Sequence, residues 1–270
     1  MAPQMGRLPS PRSLGDLTYP EISGKVRETS ILCLPIGAIE QHGAHLPLNT
    51  DIVVAEELTR AMIARWGDQF DLWQLPTLAI GLSREHDWAP GTLSLSVQGF
   101  AGLLMEMARD IVRALPARNL AIVNGHGGNR GILESLLHEL RADLALNACV
   151  IHPFDLAKVA PKPGAPDVHG GAGETSVMLA LAPDLVRRDM IAATAHPSRQ
   201  DAAAALIFDR GVSWPWRTDD PRLAQMGVIG DPGAASAELG RAIVESMIEE
   251  TRGVLARLLE NQKLMGKPGR

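Results

Sequence analysis

The chain has 270 residues, of which 46% are apolar, and its formal net charge at pH 7 is −5. This composition suits a globular protein with a sizeable core, and it has no excess of basic residues that would indicate nucleic-acid binding. The first residues contain no apolar stretch typical of a secretory signal, and no apolar run reaches the roughly 18 residues of a membrane span. We therefore expect a cytoplasmic protein without nucleic-acid or membrane partners. Cys33 and Cys149 each lie in an apolar run and are expected to be buried, reduced thiols.

Strand-like and helix-like patterns alternate along most of the chain. The apolar runs that predict strands lie at residues 31–36, 72–80, 119–123 and 148–151. The amphipathic patterns that predict helices lie at residues 52–66, 97–115, 130–144, 173–181 and 234–264. This alternation favours an α/β fold, a three-layer α/β/α sandwich whose mainly parallel sheet is covered on both faces. We predict an N-terminal arm over residues 1–25 and a single α/β domain over residues 26–265.

The first group of residues that could bind a metal follows the predicted strand at 31–36. Glu40, His42, His45 and Asp51 lie close together in the segment LPIGAIEQHGAHLPLNTD. In open α/β sheets, ligands bind beyond the carboxyl ends of the strands, and this loop occupies such a place. Asp51 also stands where the N-cap of the next helix belongs, so capping alone is an equally good interpretation of this residue.

Two later segments supply further residues of the same kinds. His126 lies in NGHGGN directly after a predicted strand, and His169 and Glu174 lie in HGGAGETS at the start of a helix. Each has a simpler interpretation: the histidines as structural or surface residues, and Glu174 as a carboxylate at the positive end of a helix dipole. All three groups lie at the ends of predicted elements and beside glycines, which allow a close backbone approach, so we favour one shared site.

The loop over residues 81–96 is long and rich in groups that bind substrates or move protons. It contains Ser83, His86 and Trp88 between two glycines. A loop of this length and chemistry is more often functional than a simple connection, although a solvated surface turn is the alternative. The role of the WPW segment at residues 214–216 stays open between lining a pocket and packing, with packing favoured.

The combination of ligand types narrows the metal and the reaction. Imidazoles and carboxylates without thiolates suit zinc, manganese or iron. Glu40, His42, Asp51, His126 and Glu174 suffice for two ions if Asp51 bridges them, and such a pair can activate a water molecule. The chain has no phosphate-binding loop, dinucleotide fingerprint, G-x-S-x-G nucleophile elbow or H-E-x-x-H zinc helix. Metal-assisted hydrolysis is therefore the favoured reaction class.

Five segments together resemble the creatininase family of metal-dependent amidohydrolases. In chain order they are LPIGAIEQHGAHLPLNTD, GLSREHDWAPGTLSL, NGHGGN, HGGAGETS and GVIGDPGAAS. The resemblance implies an α/β/α sandwich with a mainly parallel sheet. It also implies two divalent ions per subunit, with zinc favoured over manganese or iron, and a homo-oligomer that is often a hexamer.

The resemblance implies roles for individual residues as well. The residues that match metal ligands are Glu40, His42, Asp51 and His126. Asp51 stands at the bridging position, and Glu174 matches an acidic residue that could ligate the second ion or transfer a proton. His169 matches an active-site histidine for substrate binding or proton transfer, whereas His45 matches no ligand position and is favoured as structural or as a neighbour of the ligands. Ser83 and His86 match the loop that lines the pocket.

Two departures from the family bear on the substrate. Creatinine hydrolases carry a Tyr and a ligating Glu after the histidine of the NGH motif, whereas this chain has Gly127 and Gly128. Creatinine itself is therefore not the expected substrate. We predict cleavage of the C–N bond of a small, possibly cyclic, amide or of a formamide. The alternatives are a peptidase of the mycofactocin-precursor type and, less favoured, a non-catalytic metal-binding protein.

The predicted mechanism uses water activated by the two-metal centre to attack the amide carbonyl. His169 or Glu174 would carry a proton to the leaving nitrogen. The backbone N–H groups of Gly127 and Gly128 would stabilise the oxyanion. The residues predicted to shape the pocket are Ser83, His86 and Trp88.

Overall fold

A four-stranded sheet forms the centre of the protein in the computed structural model, which describes residues 12–161, 166–194 and 200–264. The strands are β1 (Ile31–Ile36), β2 (Leu72–Gln74), β3 (Asn119–Asn124) and β4 (Asn147–Ile151). Their order in the sheet is β2-β1-β3-β4, and every neighbouring pair is parallel. The carboxyl ends of all four strands therefore lie at the same edge.

Helices cover both faces of this sheet. In chain order they are α1 (Tyr19–Lys25), α2 (Thr50–Phe70), α3 (Val97–Ala114), α4 (Arg130–Leu144), α5 (Pro153–Leu156), α6 (Ala172–Leu181), α7 (Arg188–Thr194), α8 (Gln200–Leu206) and α9 (Ala237–Leu264). One hydrophobic core joins the sheet to α2, α6 and α9, and a second joins it to α3 and α4. The predicted α/β/α sandwich with a parallel sheet is confirmed.

Side chains of β1 alternate between the two cores because successive residues of a strand point to opposite faces. Ile31 and Cys33 pack in the core with α2, α6 and α9, whereas Leu32, Leu34 and Ile36 pack in the core with α3 and α4. All six residues of β1 are buried, which is the burial expected of a central parallel strand.

Several predicted element boundaries are wrong. The strand predicted over residues 72–80 ends at Gln74, and Pro76, which has no backbone N–H to donate, follows closely. Helix α2 begins at Thr50 with Asn49 as its N-cap, so Asp51 lies inside the first turn and is not the cap. Helix α9 begins at Ala237, after a separate 3-10 turn.

The N-terminal arm and the single domain stay predictions. Residues 1–11 lie outside the described part of the chain. Within the predicted arm, α1 begins with a capping box between Thr18 and Glu21. Cys33 and Cys149 are free thiols; Cys33 is buried as expected, and Cys149 is only half-buried. Among the described residues, no helix is long and apolar enough to cross a membrane.

The order of the strands creates a place for a site. From β1 the chain adds β2 on one side and then continues with β3 on the other, so the direction of winding reverses between β1 and β3. The loops that leave neighbouring strands at such a reversal diverge and leave a crevice at the carboxyl edge of the sheet. Glu40 and His126 follow β1 and β3 respectively, and so flank this crevice.

Candidate metal centre

The five residues predicted to bind metal lie together at the carboxyl edge of the sheet. The loop after β1 carries Glu40 and His42, and the first turn of α2 carries Asp51. His126 follows β3, and Glu174 lies in the first turn of α6. Four separate segments of the chain thus contribute to one cluster. Each of these segments follows a strand or begins a helix.

Asp51 lies between two histidines. Its Oδ1 atom is 3.1 Å from Nε2 of His42, and its Oδ2 atom is 3.1 Å from Nδ1 of His126. Glu40 Oε1 is 3.2 Å from the same His126 nitrogen, and Glu174 Oε2 is 3.9 Å from His42 Nε2. Two ligands at tetrahedral positions around one zinc ion are about 3.3 Å apart. The contacts of 3.1 and 3.2 Å fit that separation, so these side chains could hold divalent metal ions.

Backbone carbonyl groups fix the orientation of both histidines. Nε2 of His126 donates to the carbonyl oxygen of Leu82 at 2.6 Å, and Nδ1 of His42 donates to the carbonyl oxygen of Glu40 at 3.2 Å. A carbonyl oxygen can only accept, so in each ring the proton lies on the nitrogen that faces the backbone. The other nitrogen of each ring faces the carboxylates, and with a metal ion bound it would present its lone pair to that ion, as metal-binding histidines do.

The buried polar atoms of the cluster also fit divalent ions. Within the described residues, both carboxylate oxygens of Glu40, Nε2 of His42 and Oδ2 of Asp51 have no hydrogen-bond partner. Glu40 and His42 are 0% exposed and Asp51 is 2% exposed. Buried polar atoms in native proteins nearly always have a partner, and divalent ions would supply partners to these atoms.

The electrostatics of the cluster show why it needs positive charge. Burial raises the pKa of Glu40, and burial also raises the pKa of Glu174 to about 7. Burial lowers the pKa of His42, but Asp51 and the other nearby carboxylates outweigh it and raise that pKa to about 10. Protons on the histidines or metal ions must therefore neutralise these carboxylates, and the buried ligand atoms without a hydrogen-bond partner favour metal ions.

His169 and His86 complete the ring of histidines around Glu40. Nδ1 of His169 lies 3.6 Å from Oε1 of Glu40, and Nε2 of His86 lies 3.4 Å from the same oxygen. The two imidazoles stack with centroids 4.0 Å apart. Burial lowers the pKa of both rings, and the positive potential of neighbouring histidines lowers it further. The contact between His86 and the carboxylate was missed, because His86 was predicted only to line the pocket.

Gln41 and Thr218 are two further members that the sequence did not reveal. The side-chain amide of Gln41 donates to the carbonyl oxygen of Gly227 at 2.9 Å and lies 2.9 Å from Nδ1 of His86. Thr218 Oγ1 lies 2.8 Å from the same His86 nitrogen and accepts from the indole of Trp88 at 3.0 Å. The position of Gln41 between two predicted ligands was the only signal, and Thr218 had none.

The predicted pocket residues divide into two groups. A cavity of about 410 Å³ reaches the centre, and its wall includes Gly127 together with His126, His169 and Glu174. Ser83, His86, Trp88 and Gly128 are not among the described residues that line this cavity. Ser83 and His86 are buried, and Trp88 is 38% exposed.

The two glycines after His126 differ in their surroundings. A Cβ atom on Gly127 would meet nothing within 4 Å, so this residue faces open space. A Cβ atom on Gly128 would lie 2.4 Å from the carbonyl oxygen of Leu82 and 2.5 Å from Nε2 of His126. Gly128 is therefore needed for the contact that orients His126.

His45 and the tryptophans at 214–216 lie outside the ligand cluster. Nε2 of His45 lies 2.8 Å from Oγ1 of Thr175, the residue after Glu174, so His45 supports the first turn of α6. Trp216 packs against a small core that includes Leu223 and Ile229, whereas Trp214 is 49% exposed. Trp216 therefore packs against the protein interior, whereas Trp214 faces solvent.

Comparisons with known proteins point to one family. The family model described as "Creatininase: Creatinine amidohydrolase" matches residues 15–255. The mycofactocin precursor peptide peptidase of Mycobacterium tuberculosis (strain CDC 1551 / Oshkosh) is 34% identical over 262 residues, which cover 93% of both chains. The creatinine amidohydrolase of Pseudomonas putida is 31% identical over 257 residues, which cover 87% of this chain and 93% of the relative.

The solved structures show the same relationship. A mutant creatininase of the Zn-Zn type superimposes with a TM-score of 0.74 and 27% identity, covering 91% of this chain and 97% of that one. The family match, the relatives and the shared fold lead to one conclusion. The chain belongs to the creatininase family.

Proposed function

We propose that this protein is an amidohydrolase that uses a two-metal centre to cleave a C–N bond of a small amide or formamide. Membership of the creatininase family makes it a hydrolase that acts on C–N bonds. The observation that carries the two-metal proposal is Asp51, whose two oxygens each lie 3.1 Å from a ring nitrogen of a different histidine. The family makes a non-catalytic binding protein a poor alternative.

The proposed ligands divide into two sets. Glu40, Asp51 and His126 would hold one ion, and His42, Asp51 and Glu174 would hold the other. When bound, such ions supply a water of lowered pKa and polarise the amide carbonyl. We propose zinc, with manganese or iron as alternatives, because imidazole and carboxylate ligands suit all three.

The chain's own residues would do the rest of the chemistry. Nε2 of His169 donates to the carbonyl oxygen of Gln41 at 2.6 Å, which leaves Nδ1 of this ring as a proton acceptor facing the centre. His169 would take a proton from the attacking water and pass it toward the leaving nitrogen. The backbone N–H of Gly127, on the cavity wall, would donate to the oxygen that becomes negative in the transition state.

A peptidase that trims a short peptide is the second candidate. Its support is the open space at Gly127, where the creatinine hydrolases of the family carry a tyrosine, and the 34% identity with a mycofactocin precursor peptide peptidase. A peptide bond is an amide too. Both candidate functions therefore use the same metal centre and differ only in the substrate that fills the cavity.

Metal analysis and a substrate panel test the proposal. Purified protein should contain about two divalent ions per chain, and it should hydrolyse members of a panel of lactams, formamides and short peptides until a chelator is added. The variants Glu40→Gln and His126→Ala should lose metal and turnover, whereas His138→Ala, on an exposed site of α4, should keep both. Full metal content and full turnover in both ligand variants would refute the proposal. The homo-oligomer, a hexamer by family resemblance, stays a prediction that sedimentation analysis checks.

A further inference from the structure

The cavity beside the metal centre is lined by two chemically different groups of residues. His126, His169 and Glu174, which are buried or half-buried, belong to the cluster described above. Arg130, at the start of α4, and Asp155, in α5, are exposed residues of the same wall. One ligand in this cavity could therefore contact both groups.

Arg130 is the only Lys or Arg on the described wall of this cavity. Its guanidinium forms an ion pair with Asp155. The side chains of the two residues are 45% and 63% exposed, so water screens the pair and it holds Arg130 only weakly. A guanidinium matches a carboxylate with two parallel N–H donors, so an incoming carboxylate can take the place of Asp155.

The rest of the cavity wall is partly apolar. Its apolar residues include Pro153, Phe154, Val159, Val168 and Ile243. Cavities of this size bind ligands through apolar walls together with a few polar groups that fix orientation. A ligand with an amide at the centre and a charged group at Arg130 would therefore also have apolar partners for a side chain.

We propose that Arg130 binds a carboxylate of the substrate, and that the enzyme prefers amides that carry a free carboxylate next to an apolar group. N-acylated amino acids and the carboxyl-terminal ends of peptides have this chemistry. Asp155 holds the guanidinium in place when no substrate is bound. This inference rests on the proposed function, because it assumes that the amide lies at the metal centre.

Matched ligands isolate the carboxylate. N-acetylphenylalanine and N-acetylphenylalaninamide differ only in that group, and calorimetric titration of zinc-loaded protein measures the affinity of each. The acid should bind about tenfold more tightly or better, since hydrogen bonds to charged groups are the strong ones. Arg130→Gln should remove this preference, Arg130→Lys should keep part of it, and Asp155→Asn should tighten binding of the acid by about two- to fivefold. Arg113→Gln, in an exposed pair with Asp110, is the matched control and should change nothing.

Equal binding of acid and carboxamide to the wild-type protein would overturn the inference. A preference that survives in Arg130→Gln would overturn it as well, because the metal ions would then be the carboxylate site. Failure of the proposed function gives a different result. In that case the acid would still bind through Arg130, but no substrate of the panel would be hydrolysed in a chelator-sensitive way.

Discussion

Nε2 of His126 and the carbonyl oxygen of Leu82 lie 2.6 Å apart, and this single contact decides which nitrogen of the imidazole points to the carboxylates. Because Nε2 donates to this carbonyl group, Nδ1 is the nitrogen that faces Asp51 and Glu40. The backbone of Gly128 lies against the contact with no space for a side chain. The orientation of a metal-binding histidine thus depends on a glycine that touches no metal.

Gly128→Ala should therefore weaken metal binding. The new Cβ would push the ring of His126 away from Leu82, and loss of such supporting contacts typically costs about 10- to 100-fold in metal affinity. Competition with a zinc chelator of known affinity measures the effect. Gly127→Ala is the matched control, because its Cβ meets nothing within 4 Å. Equal loss in both variants would show that the helix start, and not the ring, is disturbed.

Asp51→Asn should reduce the metal content from about two ions to one or fewer. The side-chain amide of Asn has one oxygen, whereas the carboxylate of Asp has two. It therefore cannot present an oxygen to the His42 side and to the His126 side at the same time. Turnover should fall by more than about 100-fold, because loss of a ligand should cost more than the roughly 10- to 100-fold that loss of a residue supporting a ligand typically costs. Metal analysis after gel filtration gives the count, with Asp143→Asn on exposed α4 as the control. A variant that keeps two tightly bound ions would exclude bridging by Asp51.

His169→Asn should separate catalysis from metal binding. The proposed role of His169 is to move a proton, and loss of such a group costs about 10²- to 10⁴-fold in turnover. The metal content should stay at the wild-type value, because neither set of proposed ligands includes this residue. Parallel measurement of kcat and bound metal checks both statements. Loss of an ion in this variant would make His169 a ligand.

Substitution of two glycines in α9 by alanine should change the stability of the protein in opposite directions. A Cβ on Gly240 would lie 1.8 Å from the carbonyl oxygen of Ser176 in α6, so Gly240→Ala should lower the free energy of unfolding by about 1–3 kcal/mol. A Cβ on Gly253 would meet nothing within 4 Å, so Gly253→Ala should raise it by about 0.5–1 kcal/mol through better helix propensity. Denaturant titration of the two variants gives both values. Changes of the same sign would contradict the packing described for α6 and α9.

Elements formed by local patterns could be predicted from the sequence. Strand β1 and helix α4 have the predicted bounds, because their periodicity and their flanking residues lie within the elements themselves. The ligands Glu40 and His126 could be recognised because each follows a buried strand, where the topology of an open sheet places binding groups. Their proximity then follows from the pairing of β1 with β3.

Contacts between distant segments could not be predicted in this way. Thr218 lies 132 positions from His86, and a hydrogen bond between them leaves no periodic trace in the sequence. The same is true of the ion pair between Arg130 and Asp155, whose members belong to different helices. The different surroundings of Gly127 and Gly128 depend on Leu82, in a loop that only the folded chain brings close.

The close packing of α6 on α9 has a consequence for the order in which the protein becomes competent during synthesis. Every proposed metal ligand has left the ribosome once Glu174 has emerged, yet α6 lacks most of its packing support until α9, the last helix of the described chain, has followed. A nascent chain that ends before Gly240 would have the sheet and four of the five proposed ligands in place. The fifth, Glu174, would not yet be held in position by α9. Tight uptake of the second ion would then mark the moment at which the C-terminal helix docks.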